Sequence, residues 1–355
     1  MAADIGSDLP GESSSESSSI GWGILATGKI AQTFARDLAK VPGSRLAAVG
    51  SRRLESAQAF AREYAGEGTP AAYGSYEELV ADPDVDVIYV ATPHAFHLDN
   101  ARLCFEAGKH VLCEKPLTLD TADAEEMVRL AGVHDCFLME AMWTACHPVI
   151  RELRTRLAAG EFGRPRHLHA ELGFRVDADP DDRMLDPALG ASALLDMGIY
   201  PLTVAHLLLG EADQLLATAD LSTRGIDLDV AVAGRYPGGA LATMTASMTS
   251  YSSRRAEIAT DRGRIELDDF HHPTKAVFTP YVEGAGSWAV EPGAPVEVVG
   301  EEPVIGQGYG NEIAEVERCL RAGLRESPLV PHAQTLTLLR QMDDVRRQVG
   351  VTFPG

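Results

Sequence analysis

The stretch Gly21-Trp22-Gly23-Ile24-Leu25 is a short apolar run that leads directly into Ala26-Thr27-Gly28-Lys29-Ile30-Ala31. The first part predicts a buried strand, and the segment from Lys29 to Leu38 predicts the helix that follows it. The join has the spacing of the GxGxxG/A dinucleotide fingerprint, with alanine at its first and last positions. Gly28 lets the backbone approach a pyrophosphate, and the helix start offers free N–H groups. The residues predicted to bind a dinucleotide here, with a plain helix start as the alternative, are Ala26, Thr27, Gly28, Lys29 and Ile30.

Short apolar runs and helical patterns alternate from Ile20 to Trp143. Such alternation predicts a parallel sheet wrapped by helices on both faces. We therefore predict a Rossmann dinucleotide-binding domain over residues 20–143, preceded by a disordered, acidic, serine-rich tail over residues 1–19. The predicted strands are 21–25, 46–50, 85–90, 110–113 and 136–139, and the predicted helices are 29–38, 54–64, 76–81, 97–107 and 121–131.

The pattern changes after Thr144, where period-two alternation becomes common. This part of the chain predicts an α+β domain over residues 144–355, built on a mostly antiparallel sheet. Gly238-Gly239 predicts a turn between two of its strands. The predicted strands are 165–174, 215–221, 231–236, 240–248 and 255–267, and the predicted helices are 149–158, 192–209, 311–321 and 333–348.

The second strand of the first domain ends in Gly50-Ser51-Arg52-Arg53. An NAD site usually presents an acidic residue at this point to hold the ribose 2′-hydroxyl, and none is present. A serine hydroxyl and guanidinium groups suit a 2′-phosphate instead. Ser51, Arg52 and Arg53 therefore predict NADP(H) as the cofactor, with two solvated surface arginines as the alternative.

The strand predicted over 85–90 ends in Ala91-Thr92-Pro93-His94-Ala95-Phe96-His97. Strand ends at this edge of an open α/β sheet face the ligand crevice. Pro93 restricts Thr92, and both are predicted to form a wall beside the cofactor. For His94 and His97 two interpretations stay open, a hydrogen bond to the ligand or a structural bond at the next helix.

Lys115 lies in Glu114-Lys115-Pro116, at the end of another predicted strand, and Asp196 and Tyr200 are four residues apart in an apolar helical run. That spacing places Asp196 and Tyr200 on one helix face. A lysine beside a buried tyrosine favours tyrosinate and is predicted to lower the pKa of the phenol from its usual value of about 10. With a dinucleotide fingerprint upstream, this combination predicts hydride transfer coupled to proton transfer.

Composition narrows the function classes. The formal net charge of −21 argues against a nucleic-acid partner. Five cysteines without a CxxC pair favour a reducing compartment, and we expect a cytoplasmic protein. We expect no apolar run to be long enough to span a bilayer, and the histidines show no metal-site spacing.

These motifs together resemble the glucose–fructose oxidoreductase (Gfo/Idh/MocA) family over nearly the whole chain after the tail. The matching pieces are Gly23 to Ala31, Glu114-Lys115-Pro116 and Leu194 to Pro201. Within the family the chain is most similar to the branch of dimeric dihydrodiol dehydrogenases and NADP-dependent D-xylose dehydrogenases. The pointers to that branch are His94 and His97, the run Met139 to Thr144, and tyrosine at position 200, where many relatives carry histidine.

The resemblance implies roles for the central residues. Lys115 would hydrogen-bond the reacting hydroxyl, and Tyr200 would accept its proton as hydride leaves for the nicotinamide. Asp196 would orient Lys115 or the substrate hydroxyls, and Glu114 would anchor the loop or contact the cofactor ribose.

Two further residues are implied as substrate contacts. Trp143 is expected to form an apolar wall and Arg175 to reach the substrate from the opposite strand, with core packing and a surface charge as their alternatives. The resemblance also implies that the domain over residues 144–355 has an open sheet and binds the substrate. It further implies a homodimer or homotetramer joined through the strands 240–248 and 255–267 of that sheet.

The resulting hypothesis is an NADP(H)-dependent oxidoreductase acting on a CH–OH or C=O carbon of a sugar, cyclic diol or related small polyol. Two alternatives stay open. One is a dinucleotide-binding, sugar-sensing regulator without turnover, and the other is an inositol or imine dehydrogenase of the same fold.

Overall fold

The computed structural model describes residues 19–66, 68–179, 182–283 and 290–353. Of the predicted tail over residues 1–19, all but Ser19 lies outside the described residues. Within the described part, two sheets account for the strands, one of six and one of nine.

The first sheet contains the fingerprint stretch. Its strands are parallel throughout and follow the order β3-β2-β1-β4-β5-β6. All six residues of the first strand, Ile20–Leu25, are buried, which explains its continuous apolar run. The strands are β1 (Ile20–Leu25), β2 (Ser44–Gly50), β3 (Ala71–Tyr73), β4 (Val87–Val90), β5 (His110–Glu114) and β6 (Leu138–Ala141).

Helices cover both faces of this sheet, as expected for parallel strands joined by crossovers. The strand order reverses between β1 and β4, and ligands bind at such a switch point in open α/β sheets. The helices are α1 (Lys29–Leu38), α2 (Leu54–Glu63), α3 (Tyr76–Val80), α4 (His97–Glu106) and α5 (Thr121–Val133).

The second sheet is antiparallel except where β10 pairs with β7. Its strands follow the order β14-β13-β12-β11-β7-β10-β9-β8, with β15 paired to β13. The strands are β7 (Pro165–Gly173), β8 (Gln214–Leu221), β9 (Asp227–Arg235), β10 (Leu241–Ser247), β11 (Ala256–Thr260), β12 (Gly263–Leu267), β13 (Ala276–Glu283), β14 (Val290–Pro292) and β15 (Val296–Val298).

Alternating burial shows how this sheet is used. Along Leu241–Ser247, exposed and buried side chains alternate, so one face packs inward and the other meets solvent. The remaining helices are α6 (Trp143–Cys146), α7 (Pro148–Ala158), α8 (Ile199–Leu209), α9 (Tyr309–Arg321) and α10 (His332–Val349).

The predicted fold class, a Rossmann domain followed by a mostly antiparallel α+β part, is confirmed, and three details differ. The strand predicted over 255–267 is a hairpin of β11 and β12. Strands β3, β13, β14 and β15 were not predicted. The helix predicted over 192–209 begins with a π-helical turn, Leu194–Gly198, before α8.

One expectation about membranes was wrong as stated. The segment Pro187–Leu209 is long and apolar enough by composition to cross a membrane, but 89% of its most apolar window is buried inside the protein. Its hydropathy is that of a core helix covered on every side by other elements.

Candidate active site

A cavity of about 1030 Å³ lies along the C-terminal edge of the first sheet and reaches α8 of the second part of the chain. It is located at the switch point between β1 and β4, where the topology predicts a ligand. Nearly all of the sequence-predicted cofactor residues line it. These are Ala26, Thr27, Gly28, Lys29, Ile30, Ser51, Arg52, Arg53, Thr92, Pro93, His94, Glu114 and Lys115.

The loop between β1 and α1 forms the floor of the cofactor end. Gly28 is the N-cap of α1 without a side-chain cap, so the helix presents unpaired N–H groups there. A Cβ built at Gly28 meets no atom within 4 Å, which leaves the space that a pyrophosphate requires. Ala26 has a φ of 80°, a left-handed conformation that glycine adopts at lower cost.

Positive charge lies at the tip of β2. Arg52 and Arg53 are exposed, and neither forms an ion pair with any residue in the described part of the chain. Ser51, Ser56 and Tyr76 line the same end of the cavity. Two free guanidinium groups and hydroxyl donors are the groups that a phosphate monoester binds.

The two histidines after β4 have different environments. His94 lines the cavity, its Nδ1 lies 3.3 Å from the Gly190 carbonyl oxygen, and burial lowers its pKa to about 3. His97 does not line the cavity. Its ring nitrogens face the carbonyl oxygens of Thr92 at 2.9 Å and Pro116 at 3.0 Å. The prediction that His97 binds the cofactor is therefore corrected. Its ring instead ties the end of β4 to the Lys115 loop.

Lys115 lies at the end of β5, after a buried Glu114. Glu114 accepts hydrogen bonds from the Tyr89 hydroxyl and, at 3.2 Å, from the Lys115 backbone N–H. Lys115 Nζ donates to the main-chain carbonyl of Asp196 at 2.8 Å and lies 4.9 Å from the centroid of the Tyr200 ring. Burial lowers the pKa of Lys115, although Asp196 and Glu114 act in the opposite direction. The predicted neighbourhood of Lys115 and Tyr200 is thus present.

The expected effect of that neighbourhood on Tyr200 was wrong. Burial and the charge of Glu114 hold the pKa of the Tyr200 phenol above its usual value, so the neutral phenol is favoured. The ammonium group faces the ring rather than the hydroxyl. The hydroxyl oxygen instead accepts a hydrogen bond from Trp143 Nε1 at 3.3 Å.

Asp196 does not orient Lys115 through its carboxylate, because the bond goes to its main-chain carbonyl. The carboxylate lies 3.5 Å from the Arg183 guanidinium and 3.7 Å from His94 Nε2. Its Oδ2 is buried without a hydrogen-bond partner in the described residues, and Asp196 does not line the cavity. The π-helical turn fixes this arrangement, and its first N–H donates to the buried Asp227 at 2.7 Å.

The two predicted substrate residues occupy other positions. Trp143 is 1% exposed and lies outside the cavity lining, packed among aromatic rings. Arg175 is exposed beyond the end of β7 and does not line the cavity, so we withdraw it as a substrate contact.

Several lining residues were not predicted from the sequence. Arg183 and Met184 belong to the segment 177–189, which carries no recognisable motif. The other unpredicted lining residues are Thr33, Ser56, Tyr76, Ala91 and Asp182. Among the described residues, no cluster of histidine, cysteine and acidic side chains could hold a metal ion.

Two parts of the chain match models of known protein families. Residues 20–142 match the GFO/IDH/MocA oxidoreductase family, described as having an NAD-binding Rossmann fold, and residues 150–266 match the GFO/IDH/MocA C-terminal domain. These matches confirm the predicted kind of cofactor, a nicotinamide dinucleotide, and the predicted class of enzyme, an oxidoreductase.

Two dehydrogenases are similar to the chain over most of their own length. A trans-1,2-dihydrobenzene-1,2-diol dehydrogenase of Mus musculus is 36% identical, over 94% of this chain and 98% of that protein. A D-xylose 1-dehydrogenase (NADP+) of Hypocrea jecorina is 34% identical, over 94% of this chain and 93% of that protein.

Solved structures show the same fold. An aldose-aldose oxidoreductase from Caulobacter crescentus superposes with a TM-score of 0.81 at 24% identity, over 94% of this chain and 98% of that one. The 3-ketoreductase KijD10 from Actinomadura kijaniata, in complex with NADP, superposes with a TM-score of 0.78 at 25% identity, over 95% of this chain and 100% of that one.

Proposed function

The chain belongs to the GFO/IDH/MocA oxidoreductase family, and within it we propose an NADP(H)-dependent enzyme that interconverts a CH–OH group and a carbonyl on a small polyhydroxylated substrate. One observation carries the proposal. A single cavity has phosphate-binding groups at one end and the pair Lys115 and Tyr200 at the other.

NADP(H) is favoured over NAD(H) by the tip of β2. Ser51, Arg52 and Arg53 line the cavity, and the two arginines have no acidic partner in the described residues. An acidic side chain at this point would repel a 2′-phosphate, and none lines the cavity beside them. The named cofactor of the D-xylose dehydrogenase relative, NADP+, agrees with this assignment.

When bound, the nicotinamide supplies or accepts the hydride. The chain provides for the proton. Tyr200 carries a neutral phenol, so in the reducing direction it donates its proton to the carbonyl oxygen of the substrate. Lys115, fixed by the Asp196 carbonyl, stabilises the negative charge that develops on that oxygen. In the oxidising direction the phenolate form of Tyr200 receives that proton.

The substrate end favours hydroxyl groups. The Arg183 guanidinium and the neutral His94 line the cavity, and the Asp196 carboxylate lies 3.5 Å from the first and 3.7 Å from the second. Together they supply acceptors and donors for vicinal hydroxyls. Aldopyranoses and trans-diols present such hydroxyls. The names of the two dehydrogenase relatives contain one compound of each kind, D-xylose and trans-1,2-dihydrobenzene-1,2-diol.

The experiment is a steady-state assay of reduced nicotinamide absorbance with NADP and NAD, over a panel of aldopyranoses, trans-diols, inositols and cyclic imines. We expect turnover of a sugar or diol with NADP. Tight NADP binding without turnover of any compound would instead support the sugar-sensing alternative, and preferred turnover of an inositol or imine would change the substrate class.

The oligomer is part of the proposal. Leu216 and Leu241 are 59% and 51% exposed on the solvent face of the second sheet. We infer that this face contacts a second copy of the chain, because large exposed aliphatic side chains on a flat sheet face are typical of protein interfaces. Light scattering should give at least a dimer for the wild type and a smaller species for the double variant Leu216→Glu with Leu241→Glu.

A further inference from the structure

Trp143 lies outside the cavity lining and is enclosed by other side chains. Its indole stacks on His272 with ring centroids 4.7 Å apart and on Tyr309 with centroids 5.6 Å apart. His271 meets it edge-on, with centroids 5.0 Å apart. Because the side chain is only 1% exposed and contacted in several directions, its indole N–H has one fixed direction.

That N–H is aimed at the catalytic phenol. Nε1 of Trp143 donates to the Tyr200 hydroxyl oxygen at 3.3 Å. Indole nitrogen is a donor only, so the phenolic oxygen is the acceptor and its own O–H must point elsewhere. Lys115 Nζ donates to the Asp196 carbonyl, and no hydrogen bond joins it to this oxygen in the described part of the chain.

We propose that Trp143 is a positioning residue, whose indole N–H orients the Tyr200 hydroxyl toward the substrate and stabilises the phenolate once the proton has left. The inference rests on the proposed function, because it assigns Tyr200 the proton transfer. It replaces the predicted role of Trp143 as an apolar wall with a polar one.

The electrostatic surroundings make this bond important. Burial and the nearby carboxyl groups Glu114, Glu312 and Asp196 all disfavour the charged phenol. The hydrogen bond from Trp143 acts in the opposite direction and lowers the pKa of Tyr200. The other titratable groups that face the phenol or its partner are Lys115, Tyr309, His147, His271 and His272.

The functional test is a double-mutant cycle. Trp143→Phe keeps an aromatic ring and removes the N–H, so we expect kcat to fall about tenfold, the value for one net hydrogen bond, with an unchanged KM for NADP. The pKa above which the oxidation rate rises with pH should increase by about one unit, because the phenolate loses a hydrogen-bond donor. In a Tyr200→Phe background, Trp143→Phe should have no further effect, because the acceptor oxygen is gone.

The matched control is Trp22→Phe. Trp22 is also fully buried, and its Nε1 donates to Glu317 at 3.1 Å, remote from the cavity. This variant makes the same chemical change and should leave the pH profile unaltered. An equal loss of kcat from Trp143→Phe in both backgrounds would overturn the positioning role and leave only packing.

A second measurement does not depend on turnover. The chain has three tryptophans, so its nitrogen-labelled indole spectrum contains three N–H signals. Tyr200→Phe should displace the Trp143 signal and leave that of Trp22 in place. An unmoved Trp143 signal would refute the hydrogen bond, whether or not a substrate has been found, whereas absent wild-type turnover with a displaced signal would refute only the proposed function.

Discussion

The two ends of the cavity are built in different ways. The cofactor end comes from short loops, 26–30 and 51–53, and its arginines are exposed and unpaired with any described acidic residue. The catalytic end is assembled from distant segments around Lys115, Trp143 and Tyr200, and its side chains are largely buried. The comparison teaches that binding charge is supplied by free groups at the surface, whereas proton chemistry is set by burial and by fixed hydrogen bonds.

The largest expected effect is at the catalytic end. Lys115→Met should lower kcat about a thousandfold, because it removes the buried charge beside the developing oxyanion. The dissociation constant for NADPH, measured by fluorescence titration, should change by less than about threefold. Lys275→Met, at an exposed lysine paired with Glu297, is the control. Near-normal turnover of the Lys115 variant would contradict the proposed role of Lys115 in the reaction.

At the cofactor end we expect an effect on binding alone. Arg52→Ala combined with Arg53→Ala should raise the KM for NADP about a hundredfold, roughly 3 kcal/mol for two charge-assisted contacts, and leave kcat and the KM for NAD nearly unchanged. Arg62→Ala, at an exposed arginine of α2 outside the cavity, is the control. A KM for NADP that barely moves would show that NADP is not selected here.

Burial at the catalytic end also predicts a pH effect on stability. Burial raises the pKa of Asp227, which accepts from the first N–H of the π-helical turn, from 3.8 to about 6. A carboxyl with a raised folded-state pKa binds its proton more tightly in the folded protein, so stability is lost as pH rises from about 4 to about 6. Asp227→Asn keeps an acceptor oxygen and cannot ionise.

The loss of stability with rising pH should therefore be absent in the Asp227→Asn variant. Between about pH 4 and about pH 8, Asp227→Asn should gain on the order of 2–3 kcal/mol of unfolding free energy relative to the wild type, measured by urea titration. Asp220→Asn, at an exposed carboxylate of the neighbouring strand β8, should run parallel to the wild type. Parallel curves for both variants would contradict the expected effect of burial.

The smallest effect concerns Ala26. Its φ of 80° costs roughly 1–2 kcal/mol for a residue with a Cβ, partly offset by the lower freedom of alanine in the unfolded chain. Ala26→Gly should thus raise the unfolding free energy by up to about 1 kcal/mol in thermal or urea melts. Ala31→Gly, inside α1, should lower it by about 1 kcal/mol. Destabilisation by both variants would show that Ala26 is unstrained.

The comparison also explains what could be predicted from the sequence. The fingerprint, the β2 tip and Lys115 follow strands with continuous apolar runs, and a parallel sheet brings the ends of those strands to one edge. The β11–β12 hairpin was missed although Asp261 and Gly263, within and just after its two-residue loop, are residues typical of turns. The direction of the Tyr200 pKa shift was missed because the burial of the phenol and its closeness to Glu114 and Glu312 follow from the tertiary structure and not from any local pattern.

The predicted ligand contacts of His97 and Arg175 were wrong for a similar reason. Residue type indicates what a side chain can bind, but not whether carbonyl groups or solvent reach it first. His97 faces the carbonyl oxygens of Thr92 and Pro116, and Arg175 points into solvent. Arg183, in a loop without a recognisable pattern, reaches Asp196 instead.

The bond from Lys115 Nζ to the Asp196 carbonyl has an evolutionary consequence. A main-chain oxygen is present whatever side chain occupies position 196, so the ammonium group keeps its anchor through any substitution that preserves the π-helical turn. Selection can therefore exchange the Asp196 side chain to suit a new substrate while the proton-transfer apparatus stays in register. In such a site the substrate preference can change while the proton-transfer residues keep their positions.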